Sequence, residues 1–262
     1  MGCTKDLLKN NIQELKFEEH GSGKPILFVH GLGSNSQCWN KQIEEFKETH
    51  NVITVDLFGH GATKYVPNNL TIKYTAKQIN NYLVKNNKQG AIVVGHSLGG
   101  LIALEMARTD RSPIDLLVVI DTPTKQPRLL RFKFLRWLVL KLMKSDFETV
   151  IKAHYQKMGH NQDLKKYLTE IALKMSPEAY YKYMRDLFKI NLSKSLNSIA
   201  NRVILIFTKT LVPKRERLSA IEEKYGYNNI KDRVVRLFPE AGHFVMLEEP
   251  VDFNLLLKSF IE

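Results

Sequence analysis

A serine and a histidine stand where they could share one acyl-transfer site, with a carboxylate nearby. Ser97 lies in Gly95-His96-Ser97-Leu98-Gly99-Gly100, directly after the apolar run Ala91-Ile92-Val93-Val94 and before the helix formers Leu101-Ile102-Ala103-Leu104. Glycines two residues to either side of a serine suit a sharp strand-to-helix turn. Such a turn lifts the hydroxyl above a sheet edge, and side chains at the flanking positions would crowd it. A hydroxyl is a poor nucleophile until a base takes its proton, and the base needs a partner that fixes its tautomer and stabilises the imidazolium. His243 is the candidate base: it follows the apolar segment 234–238 in Pro239-Glu240-Ala241-Gly242-His243-Phe244, where Gly242 lets the loop bring the ring back over a sheet. The negative charge formed on attack needs donors, and two backbone amides are placed to supply them. One is Leu98, at the start of the helix after the serine; the other is Leu32, in the glycine-bearing loop His30-Gly31-Leu32-Gly33. Among the other histidines, His30 and His60 sit beside glycines and are expected to shape loops, and His96 to pack beneath the turn.

The elements that must position these residues follow from hydrophobic patterning. Segment 12–17 alternates as a half-exposed edge strand does, whereas 26–29, 52–55, 91–94, 116–120, 203–207 and 234–238 are continuous apolar runs. Continuous runs suit strands buried on both faces of a parallel sheet. Between them, 36–50 places Trp39, Ile43 and Phe46 at helical spacing, and 71–84 does the same with Ile72, Ala76, Ile79 and Leu83. A further helix is expected up to about residue 225, and 250–261 closes the chain as a helix with Phe253, Leu256, Leu257 and Phe260 on one face. Regular alternation of strand and helix predicts a mostly parallel sheet with right-handed crossovers and helices on both faces. Sites in such sheets lie at the carboxyl ends of the strands. Residues 31–33, Ser97, Asp121 and His243 all fall at that edge.

The alternation stops at 124 and resumes at 201, so residues 1–123 and 201–262 are expected to form the core and 124–200 a helical insertion. The chain carries 39 Lys and Arg against 27 Asp and Glu, and the insertion alone holds 16 against 6, a net of +10 out of +12. That excess can draw an acidic carrier protein or an anionic membrane surface; no recognition motif for nucleic acid accompanies it. Within 129–143, Phe132, Phe134, Trp137 and Leu140 alternate with Arg128, Arg131, Lys133, Arg136 and Lys141 on either side and between them. Phe134 and Trp137 are candidates for a substrate pocket, and Tyr155, Tyr167, Tyr180, Tyr181 and Tyr183 offer either pocket wall or plain core. No run of about 18 uncharged apolar residues is present to span a bilayer. With two cysteines, Cys3 and Cys38, a disulfide framework is not expected and a reducing cytoplasm is the default. Gly2 and Cys3 permit a lipid-anchored alternative, although Asp6 stands where the myristoylation pattern takes Ser or Thr.

Five blocks taken in order resemble the α/β-hydrolase superfamily: His30-Gly31-Leu32-Gly33, Asp56-Leu57-Phe58-Gly59-His60-Gly61, Gly95-His96-Ser97-Leu98-Gly99-Gly100, Asp121 after its strand, and Gly242-His243-Phe244 with Glu248-Glu249-Pro250 behind it. The resemblance implies an α/β fold with an eight-stranded sheet, a helical lid between the sixth and seventh strands, and Ser-His-acid chemistry. The family usually carries its acid just after the strand equivalent to 203–207, and here that stretch reads Thr208-Lys209-Thr210-Leu211-Val212-Pro213. Some members place the acid one strand earlier, where Asp121 stands. Asp121 is therefore the expected triad acid, with Glu216 or no acid as the alternatives.

These readings predict a serine hydrolase that cleaves carboxylic esters or thioesters with a hydrophobic acyl part through an acyl-enzyme on Ser97. Such chemistry needs no metal or organic cofactor. An esterase acting on acyl groups of an acidic carrier protein, a carbon-carbon bond hydrolase, and a ligand-binding protein that keeps the pocket with little turnover are the alternatives.

Overall fold

The computed structural model describes residues 14–109, 112–126 and 132–261. Its frame is one sheet of β1 (Lys16–His20), β2 (Lys24–Val29), β3 (His50–Asp56), β4 (Ala91–His96), β5 (Ile114–Ile120), β6 (Arg202–Thr208) and β7 (Arg233–Phe238), in spatial order β1-β3-β2-β4-β5-β6-β7. Every neighbouring pair is parallel except β1 with β3. The eight strands expected from the resemblance are therefore seven among the described residues. The edge strand also sits further along than the alternation suggested, at Lys16–His20 rather than 12–17; its span is set by antiparallel pairing from Lys16 opposite Asp56 to His20 opposite Val52, which local patterning does not encode. Residues 12 and 13, like Gly2 and Cys3 and like 128–131 of the basic segment, lie outside the described residues.

The apolar runs split by parity. Leu27, Val29, Val93, Leu117, Val119, Val203, Leu205 and Phe207 face one core; Ile26, Phe28, Ile92, Val94, Val118, Ile120, Ile204 and Ile206 face the other. Successive side chains of a strand point to opposite faces, so a run that is apolar at every position must be covered on both sides. The first face is covered by α2 (Ile72–Lys85) and α3 (Leu98–Ala107), through Ala76, Ile79, Leu83, Leu101, Ile102 and Leu104. Thr71 caps α2, its hydroxyl accepting from the amide of Tyr74 at 3.0 Å. The other face is covered by α1 (Asn40–Phe46) and α10 (Pro250–Ile261), through Ile43, Phe46, Phe253 and Leu257. The helix expected over 36–50 is shorter: a 3-10 turn at Ser36–Trp39 leads into α1, and the chain is already extended as β3 at His50.

Between β5 and β6 come four helices, α4 (Lys133–Ser145), α5 (Phe147–Tyr155), α6 (Gln162–Leu173) and α7 (Pro177–Leu187). They are not detached from the core. Ile151, Tyr155, Leu168, Ala172 and Tyr180 join one apolar cluster, and Ala179 and Tyr183 join the other. After β6 follow α8 (Leu218–Tyr225) and, beyond β7, the single turn α9 (Val245–Glu248).

Register decides which residues meet. Val29 pairs with Gly95, His96 with Ile120, and Ile120 with Ile206. Carrying each strand one residue further places Ser97 beside Asp121, and both beside the ends of β2 and β6.

Candidate active site

Ser97 follows the last residue of β4 and has φ +53 and ψ −113. A non-glycine residue in such a conformation costs on the order of 1–3 kcal/mol and persists only when its surroundings hold it. Here they do. Its amide donates to the Ile120 carbonyl at 2.9 Å, and its carbonyl accepts from the Leu101 amide at 3.1 Å and the Thr122 hydroxyl at 3.2 Å. The neighbouring glycines leave no room for side chains: a Cβ at 95 would lie 2.5 Å from the Gly99 carbonyl oxygen, one at 99 would lie 2.1 Å from the Val29 carbonyl oxygen, and one at 100 would lie 2.1 Å from the Thr122 hydroxyl. The pattern therefore reflects α3 lying directly against the strand ends.

Asp121 stands at the end of β5, almost fully buried and also at positive φ, +44. One carboxylate oxygen accepts from His243 Nδ1–H at 2.6 Å and the other from the Thr208 amide at 3.1 Å. Thr208 opens the stretch where the resemblance led one to look for an acid; its backbone instead supports the acid from the preceding strand. Glu216 lies exposed in the loop after β6, its amide donating to the Pro213 carbonyl at 2.8 Å.

The loop that carries His243 is clamped on both sides of that residue. Glu248 of α9 accepts from the Gly242 amide at 2.8 Å and the Phe244 amide at 3.2 Å. His96 does more than pack: its Nε2–H donates to the His243 carbonyl at 2.7 Å, and the two rings lie 4.5 Å apart, centre to centre. Burial and the neighbouring His243 hold the His96 imidazole far below the usual histidine range, so it is neutral.

Two further histidines build the loop after β2. His30 Nδ1–H donates to the Gly31 carbonyl at 2.7 Å, and its Nε2 accepts from the Leu57 amide at 3.0 Å. His60 Nδ1–H donates to the Phe58 carbonyl at 2.9 Å, and its Nε2 accepts from the Gly33 amide at 3.0 Å. Each ring is thus a neutral bridge between two backbones. Burial pushes His60 down to about 3, with His30 adding to the shift; burial also lowers His30, against the pull of Asp56. In a trans peptide the C=O and N–H point in opposite directions. Fixing the Gly31 carbonyl on His30 and on the Ser34 amide, 3.2 Å away, therefore aims the Leu32 N–H to the other side. The Leu32 carbonyl in turn accepts a hydrogen bond from the buried Tyr155 hydroxyl. Leu98 is the first residue of α3, and first-turn amides have no intrahelical acceptor.

Sequence reasoning weighed Tyr155 only as pocket wall or core, read Thr208 only as standing where an acid was sought, and noted Glu248 only as part of a motif. Tyr155 carries no local signal, because only the packing of α5 on the sheet brings it to Leu32. Phe134 and Trp137, weighed as pocket residues, are exposed on α4. Cys38 is buried and unpaired, its thiol pushed up to about 12 chiefly by burial, which leaves it unreactive.

The family model for the alpha/beta hydrolase fold matches residues 24–250. An uncharacterised protein of Mycobacterium tuberculosis is 32% identical over 105 residues, which make up 40% of this chain and 31% of that protein. The chain thus spans about a third of the length of the first curated relatives it matches. A pimeloyl-[acyl-carrier protein] methyl ester esterase of Vibrio vulnificus is 23% identical, with 94% of this chain and 98% of that one aligned. Among solved structures, a thermophilic esterase from Thermogutta terrifontis superposes with a TM-score of 0.81 at 19% identity, over 94% of this chain and 92% of that one.

Proposed function

The chain belongs to the α/β-hydrolase family, and on that premise we propose that it is a serine hydrolase cleaving carboxylic esters or thioesters with a hydrophobic acyl part. The observation that carries the reading is the 2.6 Å hydrogen bond from His243 to the buried Asp121, at the same sheet edge where Ser97 is held in a strained turn.

In this reading Ser97 Oγ attacks the substrate carbonyl carbon as His243 Nε2 takes the hydroxyl proton. Asp121 holds Nδ1–H, which keeps Nε2 free to accept and stabilises the imidazolium. The oxyanion is met by the amides of Leu32 and Leu98. The tetrahedral intermediate collapses as the alkoxide or thiolate leaves with the proton from His243. Water then attacks the acyl-Ser97 ester with His243 again as base, releasing the carboxylic acid and restoring the serine.

Residues 124–200 act as a lid in this reading, with α4 to α7 covering the nucleophile. The bond from Tyr155 of α5 to the Leu32 carbonyl supports it, because it ties the inserted helices to the loop that supplies an oxyanion donor. Apolar walls above a nucleophile favour an apolar acyl group.

The test is hydrolysis of p-nitrophenyl esters from short to long acyl chains by the native protein and by Ser97→Ala. Activity that is lost in the variant, together with labelling of Ser97 by a fluorophosphonate, is the expected result, and the chain-length optimum sizes the pocket. Turnover that persists in Ser97→Ala overturns the reading.

A further inference from the structure

Helix α4 turns one face of large apolar side chains outward, while Leu135, Val139, Leu140 and Met143 lie on the other, more covered side. Phe134 is 73% exposed, Trp137 54% and Leu142 60%, and Leu138 and the preceding Phe132 are exposed as well; the helix buries only Leu140. A helix of a globular protein normally points its apolar stripe at the core. At 3.6 residues per turn, Trp137, Phe134, Leu138 and Leu142 cover about 140° of the circumference, with Lys133 and Lys144 along one border. Lys141 lies within the stripe, its ammonium 5.1 Å from the centre of the Trp137 ring. No Asp or Glu occurs from 132 to 145, while Lys133, Arg136, Lys141 and Lys144 do.

We propose that α4 is a docking surface for anionic lipid, lying in the plane of a membrane with Phe134, Trp137, Leu138 and Leu142 in the boundary between headgroups and acyl chains. The chemistry matches on both counts. Aromatic and leucine side chains on a convex helix face partition into that boundary, and basic residues beside them pair with acidic headgroups while their stems lie on apolar surface. A second copy of the chain fits less well, since it would bring an equally basic face against this one. An acidic protein partner would satisfy the charge, but the exposed apolar groups stand proud on one helix. At 13 residues α4 is too short to cross a bilayer, which takes about 20. None of the helices among the described residues is long and apolar enough to span one.

The protein carries its own reporter. It has two tryptophans, and Trp39 is fully buried, so a change in tryptophan emission on adding vesicles reports Trp137. The experiment uses the full chain with Ser97→Ala, to prevent turnover of lipid, and vesicles of phosphatidylcholine alone or mixed with phosphatidylserine. Expected are a blue shift and co-sedimentation with the mixed vesicles, both weakened by salt, and much weaker binding to phosphatidylcholine alone. Adding Phe134→Ser and Leu142→Ser lowers the affinity by about tenfold or more without changing Tm, because both positions are exposed. Lys133→Glu with Lys144→Glu weakens binding to the mixed vesicles to a similar degree. Failure to bind mixed vesicles, equal binding to both kinds, or binding undiminished by the Phe134 and Leu142 substitutions overturns the proposal. So does a blue shift with acyl carrier protein in place of vesicles. These readouts do not involve Ser97, so a failed ester assay leaves the docking surface standing, and a failed vesicle assay leaves the catalytic reading standing.

Discussion

Asp121 has both carboxylate oxygens committed, one to His243 and one to the Thr208 amide. The second bond fixes the side chain without help from a ligand, so the imidazole is oriented before any substrate arrives. Asp121→Asn keeps an acceptor for Thr208 but cannot hold the same tautomer of His243; its kcat toward p-nitrophenyl acetate is expected to fall about ten-thousandfold, with KM little changed. Wild-type kcat in that variant would remove Asp121 from the triad. On the proposed reading His30 works one step back from the chemistry: it binds the Gly31 carbonyl and so aims the Leu32 amide, and loss of a single oxyanion donor costs about a hundred- to a thousandfold in rate. His30→Ala is expected to lose up to that much in kcat while KM stays close to wild type. A proportional rise in KM would mean that the loop binds substrate and does not stabilise the oxyanion.

At the scale of elements, the sharp turn at Ser97 depends on how closely α3 approaches β2 and β4. A Cβ on Gly99 would lie 2.1 Å from the Val29 carbonyl oxygen, and that atom belongs to a strand paired on both sides. The strand cannot yield as a flexible side chain would, so Gly99→Ala is expected to destabilise the fold by about 1–3 kcal/mol or more, the range for overpacking. Gly90→Ala makes the contrast. Nothing lies within 4 Å of its Cβ position, and only its φ of +75 disfavours alanine, at about 1–2 kcal/mol. Urea midpoints of the two variants measure the difference. If Gly99→Ala proves the milder change, α3 is not held against the sheet as tightly as its geometry requires.

At the scale of the whole molecule, the buried histidines make stability depend on pH. His60 has its pKa lowered to about 3 by burial, and His30 and His96 are lowered too. An unfolded chain titrates such a group near about 6.5, so below that pH it binds more protons than the folded one does. Folding stability is therefore complete above about pH 6.5 and falls as pH drops toward about 3. Thermal unfolding at constant ionic strength is expected to show a midpoint that is level between about pH 7.5 and pH 6.5 and falls from there to about pH 4.5. His60→Gln, which removes one titrating group, flattens that slope. A midpoint that rises on acidification would contradict the assignment of these rings as neutral bridges.

The order and type of the main elements were readable in the chain because their signals are local: short unbroken apolar runs at 26–29, 91–94 and 116–120 suit strands covered on both faces, and Gly95-x-Ser97-x-Gly99 between a strand and a helix marks a sharp turn. Ser97 and His243 stood out for the same reason, each near glycines in the turn or loop that follows a strand. Three things required the folded molecule. The span of β1 came from its pairing with β3, and pairing is not encoded in five residues of weak alternation. The partner of His243 depended on register, which sets the end of β5 beside that of β6 and brings Asp121 within 2.6 Å of a residue 122 positions away. The outward face of α4 depended on what packs against it, since a helix of mixed basic and apolar residues has no unique inner side until its neighbours choose one. Local propensity acts over a few residues, whereas register, pairing and burial are decided by surfaces that meet only when the chain has closed on itself.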